Sequence, residues 1–326
     1  VPYRPAAGAP TGKRVAAVGA GPASLTLAYY LLQKGHAVTV FEALPAPGGM
    51  LRYGIPEYRL PKRTLDKEIG LITDLGAEVR YGAALGPDFT LDDLFREGYD
   101  AVFLGLGAMG SRKMKVPGEE LDGVWSGTEF LKKMGLGERV TIGRHVAVIG
   151  GGNTAIDAAR TSLRLGAEKV TVVYRRSRAE MPAWDVEVEA ALHEGVEMHF
   201  LAAPTKIEGD GRCERLEYIK MELGEPDESG RRRPVPIEGS EEEIPIDMAV
   251  IAIGNGSNPL IRKTSPEIEH TRWGTIVADE ETGKTTREGV FAGGDIVTGG
   301  ATVILAMGAG RKAAASIDEY LRSGQW

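Results

Sequence analysis

Hydrophobic positions in the first part of the chain predict a strand, a helix and a second strand. The apolar run 14–19 ends in glycine, which is typical of a buried parallel strand. Helical spacing follows over 21–34, and a second apolar run covers 37–42. The same order recurs later, with predicted strand 145–150, helix 152–165 and strand 169–174. The pattern therefore predicts two βαβ modules, each opened by a glycine turn.

Further elements are predicted on either side of the second module. They are an irregular loop at 43–62, a helix at 62–75, strands at 77–81, 100–108, 246–254 and 289–295, a β-meander at 205–246 and a helix at 301–322. The final strand and helix have no counterpart in the second module. We therefore expect 289–322 to return to the first module.

These elements predict an α/β protein with two nested Rossmann-like three-layer domains. A chain of 326 residues exceeds the usual single core. We place the first domain at 13–115 and 255–326, and the second at 116–254. Residues 1–12 are rich in Pro, Gly and Ala and are predicted to be a linker. Because the chain begins with Val1, we expect it to have been cut or processed from something longer.

Composition removes several functional classes. A net charge of −7 gives no basic face for nucleic acid, and no apolar run has the length of a membrane span. The single cysteine, Cys213, cannot form an internal disulfide, a CxxC pair or an iron–sulfur site, so we predict a structural thiol and a cytoplasmic location. The five histidines lack metal-binding spacing. The charged segment 222–243 is predicted to be a solvated hairpin, with partner docking as the alternative.

The first glycine motif runs from Gly19 through Gly21 and Pro22 to Ser24. The first glycine permits a tight turn, the second admits a pyrophosphate, and the helix that follows points its N-terminus at the negative charge. Glu42 ends the next strand, where an acid accepts hydrogen bonds from ribose hydroxyls. This motif predicts a dinucleotide with a free ribose.

The second motif, Gly150 to Ala155, stands in the same context but has basic residues at the end of its next strand. Arg175 is the counterpart of Glu42, and Arg176 is adjacent. Arginine donates charge-assisted hydrogen bonds to a 2′-phosphate, so this motif predicts NADP(H). The alternative is a solvated basic turn.

A third motif, Gly293-Gly294-Asp295, ends the last strand. Its carboxylate can accept from a polyol such as the ribityl chain of FAD, which NAD lacks. The helix that opens after Ala301 and Thr302 can point its N-terminus at the flavin N1–O2 edge. The alternative is a helix cap at Thr302 with an acid in a turn. Gly107 and Gly254, where two other strands end, complete these candidates.

Three cations lie in the 43–62 loop: Arg52, Arg59 and Lys62. A cation beside the flavin would raise its reduction potential, but a phosphate contact or a surface role is an equal alternative.

The motifs, their order and their nesting resemble the pyridine nucleotide–disulfide reductase superfamily. More closely, the chain is similar to glutamate synthase small subunits, and also to the NADH-dependent ferredoxin:NADP oxidoreductase large subunit and to sulfide dehydrogenase. The resembling stretches include GGMLRYGIPEYRLPK, VTVVYRR, EMP, GEPDESGRRR and VFAGGDIVTG, and the resemblance runs from residue 14 to about 320. The resemblance implies FAD in the first domain and NADPH in the second.

By this resemblance, most of the predicted site residues contact FAD. The ADP half is held by Gly19, Gly21, Pro22, Ala23, Ser24 and Glu42, while Gly49, Met50, Arg52 and the loop through Leu60 cover the flavin. Asp295, Thr302 and Val303 hold its ribityl and pyrimidine end. NADP(H) is held by Gly151, Gly152, Asn153, Thr154, Arg175 and Arg176. Further candidate cofactor-binding residues are Gly107, Gly254, Gly294 and Ala301.

The resemblance also implies the reaction. Hydride passes between NADP(H) and flavin, which needs orientation but no catalytic side chain, and electrons go on to iron–sulfur clusters of a missing domain or partner. That cysteine-rich domain and the disulfide pair of the superfamily are absent from this sequence. The alternatives are a free-standing NADPH:acceptor reductase that uses quinone or oxygen, and a nucleotide-binding subunit without turnover.

Overall fold

The computed structural model describes residues 5–256 and 260–326. Its strands are β1 Arg14–Val18, β2 Ala37–Glu42, β3 Glu78–Tyr81, β4 Ala101–Leu104, β5 Gly110–Ser111, β6 Val124–Ser126, β7 His145–Ile149, β8 Lys169–Tyr174, β9 Glu197–Phe200, β10 Ala202–Glu208, β11 Arg215–Pro226, β12 Arg232–Pro245, β13 Met248–Ile251, β14 Asn255–Gly256 and β15 Val290–Ala292.

The helices are α1 Pro22–Gln33, α2 Met50–Tyr53, α3 Lys62–Asp74, α4 Leu91–Arg96, α5 Gly127–Gly135, α6 Asn153–Arg164, α7 Asp185–His193, α8 Leu260–Thr264, α9 Asp295–Thr298 and α10 Val303–Ser323. A single 3-10 turn covers Arg178–Glu180. The short helix α2 lies inside the stretch that the sequence predicted to be irregular.

The chain divides into two compact units, of which the second is inserted into the first. Unit 1 comprises 1–110 and 256–326, and unit 2 comprises 111–255. The chain passes between them at β5 and β14, which form a two-stranded ladder. The sequence placed these boundaries at 115/116 and 254/255. Which cofactor each unit binds stays a prediction at this point.

Unit 1 has three layers around a five-stranded parallel sheet. The strand order is β15-β4-β1-β2-β3. Alternate residues of each strand face opposite sides, so Val15 and Ala17 pack under α1 and α10, while Ala16 and Val18 join a second core with Leu91. Because both faces of the sheet are buried, the sequences of these strands are continuous apolar runs.

The last elements of the chain complete unit 1. β15 pairs in parallel with β4, and α10 lies along α1. The approach is close because Gly310 lies on the backbone of Ala23, where an added Cβ would come 2.1 Å from the carbonyl oxygen. Among the helices of the described residues, none has both the length and the apolar character needed to cross a membrane.

Unit 2 repeats the sheet of unit 1, with strand order β6-β13-β7-β8-β9. β13, β7, β8 and β9 occupy the places of β4, β1, β2 and β3, all parallel. The expectation that β15 lacks a counterpart is wrong, because β6 fills that place and pairs with β13. β6 precedes the glycine turn and is a half-buried strand of three residues, too short to show an apolar run.

An antiparallel sheet forms the third layer of unit 2. The predicted meander is confirmed as β10-β11-β12, with the charged segment forming the β11–β12 hairpin. Leu216 and Ile207 of this sheet pack against Ala147 and Ile149 of the parallel sheet. Cys213 is buried in the same core, and burial raises the pKa of its thiol, in agreement with a structural role.

The predicted linker 1–12 lies partly outside the described residues, which begin at 5. Within the described part, Gly8 N donates to Leu32 O and Thr11 N to Gly35 O, both at 3.0 Å. Thr11 Oγ1 also lies 2.8 Å from Nδ1 of the buried His36. This stretch is therefore hydrogen-bonded to the end of α1, which a Pro- and Gly-rich composition does not predict.

The close contact of α10 with α1 predicts that Gly310→Ala destabilises the protein by about 1–3 kcal/mol, because the new methyl group must displace the backbone of Ala23. Gly308→Ala in the same helix is the matched control, since a Cβ there meets no atom within 4 Å. It should stabilise by up to about 1 kcal/mol through helix propensity. Urea unfolding measures both variants, and equal effects would contradict the packing.

Candidate dinucleotide-binding sites

The first glycine turn is built around a backbone contact between β1 and the chain that follows β4. Gly19 has φ of +93°, and a Cβ there would lie 2.6 Å from the carbonyl oxygen of Gly105. Ser24, which is fully buried, closes the other side of Gly105, and a Cβ on Gly105 would meet its hydroxyl at 2.1 Å. Glycine at 105, which the sequence did not single out, is what lets the helix approach the sheet.

Glu42 is buried at the end of β2 and fastens the same turn. Its carboxylate accepts hydrogen bonds from Ala20 N at 2.7 Å and from Leu44 N at 2.8 Å. The predicted ribose contact of Glu42 stays a prediction, and its backbone contacts fix the carboxylate beside Gly19–Gly21.

The loop that follows β2 folds back onto the turn. Gly48 N donates to Ala20 O at 2.8 Å, and a Cβ on Gly49 would lie 2.9 Å from the Cα of Gly21. Met50 then begins α2. The structure thus brings Gly49 and Met50 to the N-terminus of α1, as a cover for a ligand there requires.

Two of the three loop cations hold the loop itself. Arg52 Nε donates to Pro47 O at 2.6 Å, and its guanidinium pairs with Asp66. Lys62 Nζ donates to the carbonyls of Leu51, Ile55 and Leu60 at 2.6–3.1 Å. The sequence left a flavin, phosphate or surface role open for these cations; the contacts of Arg52 and Lys62 indicate a structural role that it did not consider. Leu60, in the same loop, is half-buried.

The Gly294–Asp295 turn lies beyond β15, at the carboxyl end of the same sheet. Gly294 has φ of +78° and a Cβ there would meet Ala23 of α1 at 3.1 Å. Asp295 begins α9, and its Oδ1 accepts from Ala301 N at 3.3 Å. Burial raises the pKa of Asp295. A half-buried carboxylate with so few donors has capacity to accept from a ligand.

Thr302 is the N-cap of α10, where its hydroxyl accepts from Leu305 N at 3.4 Å. This confirms the capping role that the sequence left as an alternative. Val303 opens the helix and is exposed, as is Ala301. The cap and the acid lie together, because Asp295 accepts the hydrogen bond from Ala301 N.

The second glycine turn repeats the first with different neighbours. A Cβ on Gly150 would lie 2.2 Å from Ala252 O, and one on Gly151 would lie 2.5 Å from the ring of Tyr174. Gly152 is the N-cap of α6. Asn153 accepts through Oδ1 from the backbone N–H of Trp184 at 3.1 Å. Thr154 follows and lies beside Gly127 of α5.

Two arginines follow β8, and the structure separates them. Arg175 is exposed. Arg176 is buried, donates through Nε to Arg232 O at 2.8 Å and pairs with Asp227 at 2.5 Å. Arg176 is thus engaged by the β11–β12 hairpin; its predicted phosphate contact stays a prediction, and Arg175 is the exposed candidate.

Gly107 and Gly254, the glycines predicted at the ends of two other strands, do not make the close backbone contacts. A Cβ on Gly107 would meet no atom of the described residues within 4 Å, and one on Gly254 would approach only Arg112, at 3.8 Å. The close approaches are made two residues earlier, at Gly105 and Ala252. Both glycines do have positive φ, +65° and +117°, so the chain turns there.

Among the helices without an acid in the first turn, α1, α6 and α10 follow the predicted cofactor-binding motifs and suit an anionic ligand. Within the described residues, α1, α6 and α10 lack Asp and Glu in the first turn, whereas α4, α5 and α7 have them. α1 and α6 are also capped by glycine, with no side chain on their first N–H groups. Glycine cradles with uncapped helix N-termini are the arrangement that binds a pyrophosphate. Each unit therefore has a glycine turn and an uncapped helix N-terminus that suit a dinucleotide.

The chain belongs to the pyridine nucleotide-disulphide oxidoreductase family, whose model matches residues 13–310. The predicted superfamily is therefore confirmed. FAD and NADP(H) are the cofactors, as predicted.

Curated relatives match nearly the whole chain. A formate dehydrogenase (NADP-dependent) subunit beta of Moorella thermoacetica is 47% identical over 335 residues, covering 99% of this chain and 47% of that protein. The NADPH-Fe(3+) oxidoreductase subunit beta of Geobacter sulfurreducens is 40% identical, covering 96% and 50%. The glutamate synthase [NADPH] small chain of Escherichia coli is 39% identical, covering 95% and 69%. The resemblance to glutamate synthase small subunits is confirmed, and the chain spans about half the length of the first two relatives.

Solved structures confirm the fold. The FprA oxidoreductase of Mycobacterium tuberculosis superposes with a TM-score of 0.82 at 21% identity, over 96% of this chain and 85% of that one. A thioredoxin reductase of T. acidophilum gives 0.71 at 22% identity, over 95% and 98%. At such identities the likeness concerns architecture alone.

The raised pKa of Asp295 predicts a stability cost above its usual titration range. Folding favours the protonated acid, so the contribution of Asp295 to stability is greatest at low pH and is lost as the pH rises through its folded pKa. Asp295→Asn removes the cost and keeps an acceptor for Ala301 N. FAD-free Asp295→Asn protein should therefore have a higher urea midpoint than the parent at pH 7, with the difference vanishing below about pH 4.

Asp279→Asn is the control of opposite sign. The hydroxyl and backbone N–H of Thr282 hold the pKa of Asp279 below its usual range, so its ionised form stabilises the fold. Its replacement should lower the urea midpoint at pH 7. A fall for both variants would contradict the burial of Asp295.

Proposed function

We propose that unit 1 binds FAD and unit 2 binds NADP(H), and that hydride passes between nicotinamide and flavin when both are bound. Electrons then go on to iron–sulfur clusters of a partner domain or subunit in the cytoplasm. The residues of this chain bind and orient, and none is assigned a proton transfer.

The single observation that carries the proposal is the contrast between the residues at the two strand ends. Glu42 is the last residue of β2 in unit 1; Tyr174, and not Arg175 as predicted from the sequence, takes its place in β8 of unit 2, and Arg175 is the next residue. A carboxylate accepts from ribose hydroxyls and repels a 2′-phosphate, whereas a guanidinium attracts one. The exposed position of Arg175, beside a glycine turn with an uncapped helix, supports NADP(H) in unit 2.

Asp295 and α10 support FAD in unit 1. The Asp295 carboxylate is the half-buried acceptor that a ribityl hydroxyl requires. Helix α10 is 21 residues long and has no acid in its first turn. Its N-terminus therefore presents a positive helix end to negative charge on the flavin pyrimidine. Gly294 and Ala301 adjoin these groups, and Gly49 lies against Gly21 at the start of α1.

The names and lengths of the relatives support a partner domain or subunit that carries the iron–sulfur clusters. Three of them are named as a subunit beta or a small chain of an NADP-linked enzyme. Two are about twice the length that this chain covers. The single cysteine leaves this chain without ligands for an iron–sulfur cluster, so the clusters belong to a further polypeptide segment.

Arg175→Ala should raise the KM for NADPH by about ten- to a hundredfold, because a charge-assisted hydrogen bond to phosphate is lost. The KM for NADH should change little, and flavin reduction at saturating NADPH should keep its rate, since the contact binds ground and transition states equally. Stopped-flow bleaching of the flavin by each nucleotide measures all three.

Exposed Arg233→Ala, which removes the same charge from the same unit, is the control and should leave each KM unchanged. A parent protein that prefers NADH, that contains no flavin, or whose flavin NADPH does not bleach would reject the proposed function.

Asp295→Ala should weaken FAD retention by about tenfold in Kd, since a hydrogen bond to a carboxylate is lost. Fluorescence of FAD released on dilution measures the loss. Asp279→Ala, whose carboxylate bonds to Thr282 in its own turn, is the matched control and should retain FAD. Equal retention by both variants would reject the ribityl contact.

A further inference from the structure

The turn of the β11–β12 hairpin lies against the segment that follows β8. This turn carries the GEPDESGRRR stretch, which the proposed function leaves without a role. Asp227 of the turn pairs with the buried Arg176, and Arg232, the first residue of β12, accepts from Arg176 Nε through its carbonyl. Arg176 therefore connects the end of β8 to the hairpin through an ion pair and a hydrogen bond.

A second set of hydrogen bonds joins the hairpin to the same segment. The side chain of Arg232 donates through Nε to Glu180 Oε1 at 2.6 Å, and Ser177 Oγ donates to Glu180 Oε2 at 2.5 Å. Glu180 is buried, and these two donors hold the pKa of its carboxyl below its usual range. Glu180 is therefore ionised at neutral pH, and Arg232 is its counter-ion.

The tied segment continues directly into the glycine turn. Tyr174 Oη donates to Glu180 O at 2.9 Å, and the Tyr174 ring covers Gly151. Ala183 N then donates to Gly151 O at 3.1 Å. A continuous set of contacts thus runs from the hairpin turn through residues 174–184 to the start of α6, and Arg175 lies within it.

We propose that Asp227 and Arg232 are positioning residues for recognition of the 2′-phosphate of the pyridine nucleotide. Asp227 holds Arg176 in the hairpin, which turns Arg175 outward from the strand end. Arg232 neutralises Glu180, which would otherwise place an unpaired carboxylate in the segment that meets a phosphate. This inference rests on the proposed NADP(H) site and adds a second group of specificity-determining residues, on another sheet.

Arg232→Ala tests the proposal against Arg233→Ala as matched control. Both residues lie in β12, are exposed and carry the same charge, but the Arg232 side chain contacts Glu180. Arg232→Ala keeps the carbonyl that accepts from Arg176. We expect it to raise the KM for NADPH about fivefold, as for residues within one hydrogen-bond network, with kcat unchanged. The KM for NADH should stay within twofold of the parent, as should both KM values of Arg233→Ala.

Asp227→Asn should likewise raise the KM for NADPH and spare NADH, because it removes the charge that holds Arg176. An equal change in Arg232→Ala and Arg233→Ala, or an equal rise for NADPH and NADH, would overturn the positioning role. A folding defect cannot produce the split between nucleotides measured on one protein. Failure of the proposed function would show differently, as a parent protein without preference for NADPH.

Discussion

One backbone contact, made twice, underlies the architecture. The glycine that follows the central strand β1 or β7 lies against the chain leaving the neighbouring strand, at Gly105 in unit 1 and at Ala252 in unit 2. Neither Gly19 nor Gly150 has room for a Cβ, so the chain can turn directly into a helix. That turn leaves the first N–H groups of α1 and α6 pointing away from the sheet without a side-chain cap. An anion site is therefore a consequence of the way each sheet and helix meet.

On this shared frame, the two units differ in a few side chains and in what covers the second face of the sheet. In unit 1 that face is covered by apolar residues such as Leu91 and Ile261, and the strand end carries an acid. In unit 2 an antiparallel sheet covers it, and the turn of that sheet engages Arg176. The covering layer of unit 2 thus contributes to the chemistry beside the glycine turn as well as to the core.

The sequence predicted both parallel sheets because strands buried on two faces leave continuous apolar runs. It missed β6, where three half-buried residues make no run. It also assigned Arg175 and Arg176 the same role, although the bend after β8 exposes the first and buries the second. The Asp227 that engages Arg176 lies far along the chain, and only the folded hairpin brings them together. The glycine motifs could be recognised in the sequence because their function requires particular residue types at fixed spacing.

The late position of β15 has a consequence for synthesis on the ribosome. β4 leaves the ribosome with one edge unpaired, and its partner emerges only after residues 105–289 have been translated. At ~5–20 residues per second, that interval lasts roughly ten to forty seconds. Unit 2 is continuous in sequence, so it can fold during the wait, while the apolar edge of unit 1 stays open to chaperones and to aggregation. Nascent chains that stall before Val290 is translated should thus be the form of this protein most prone to aggregation.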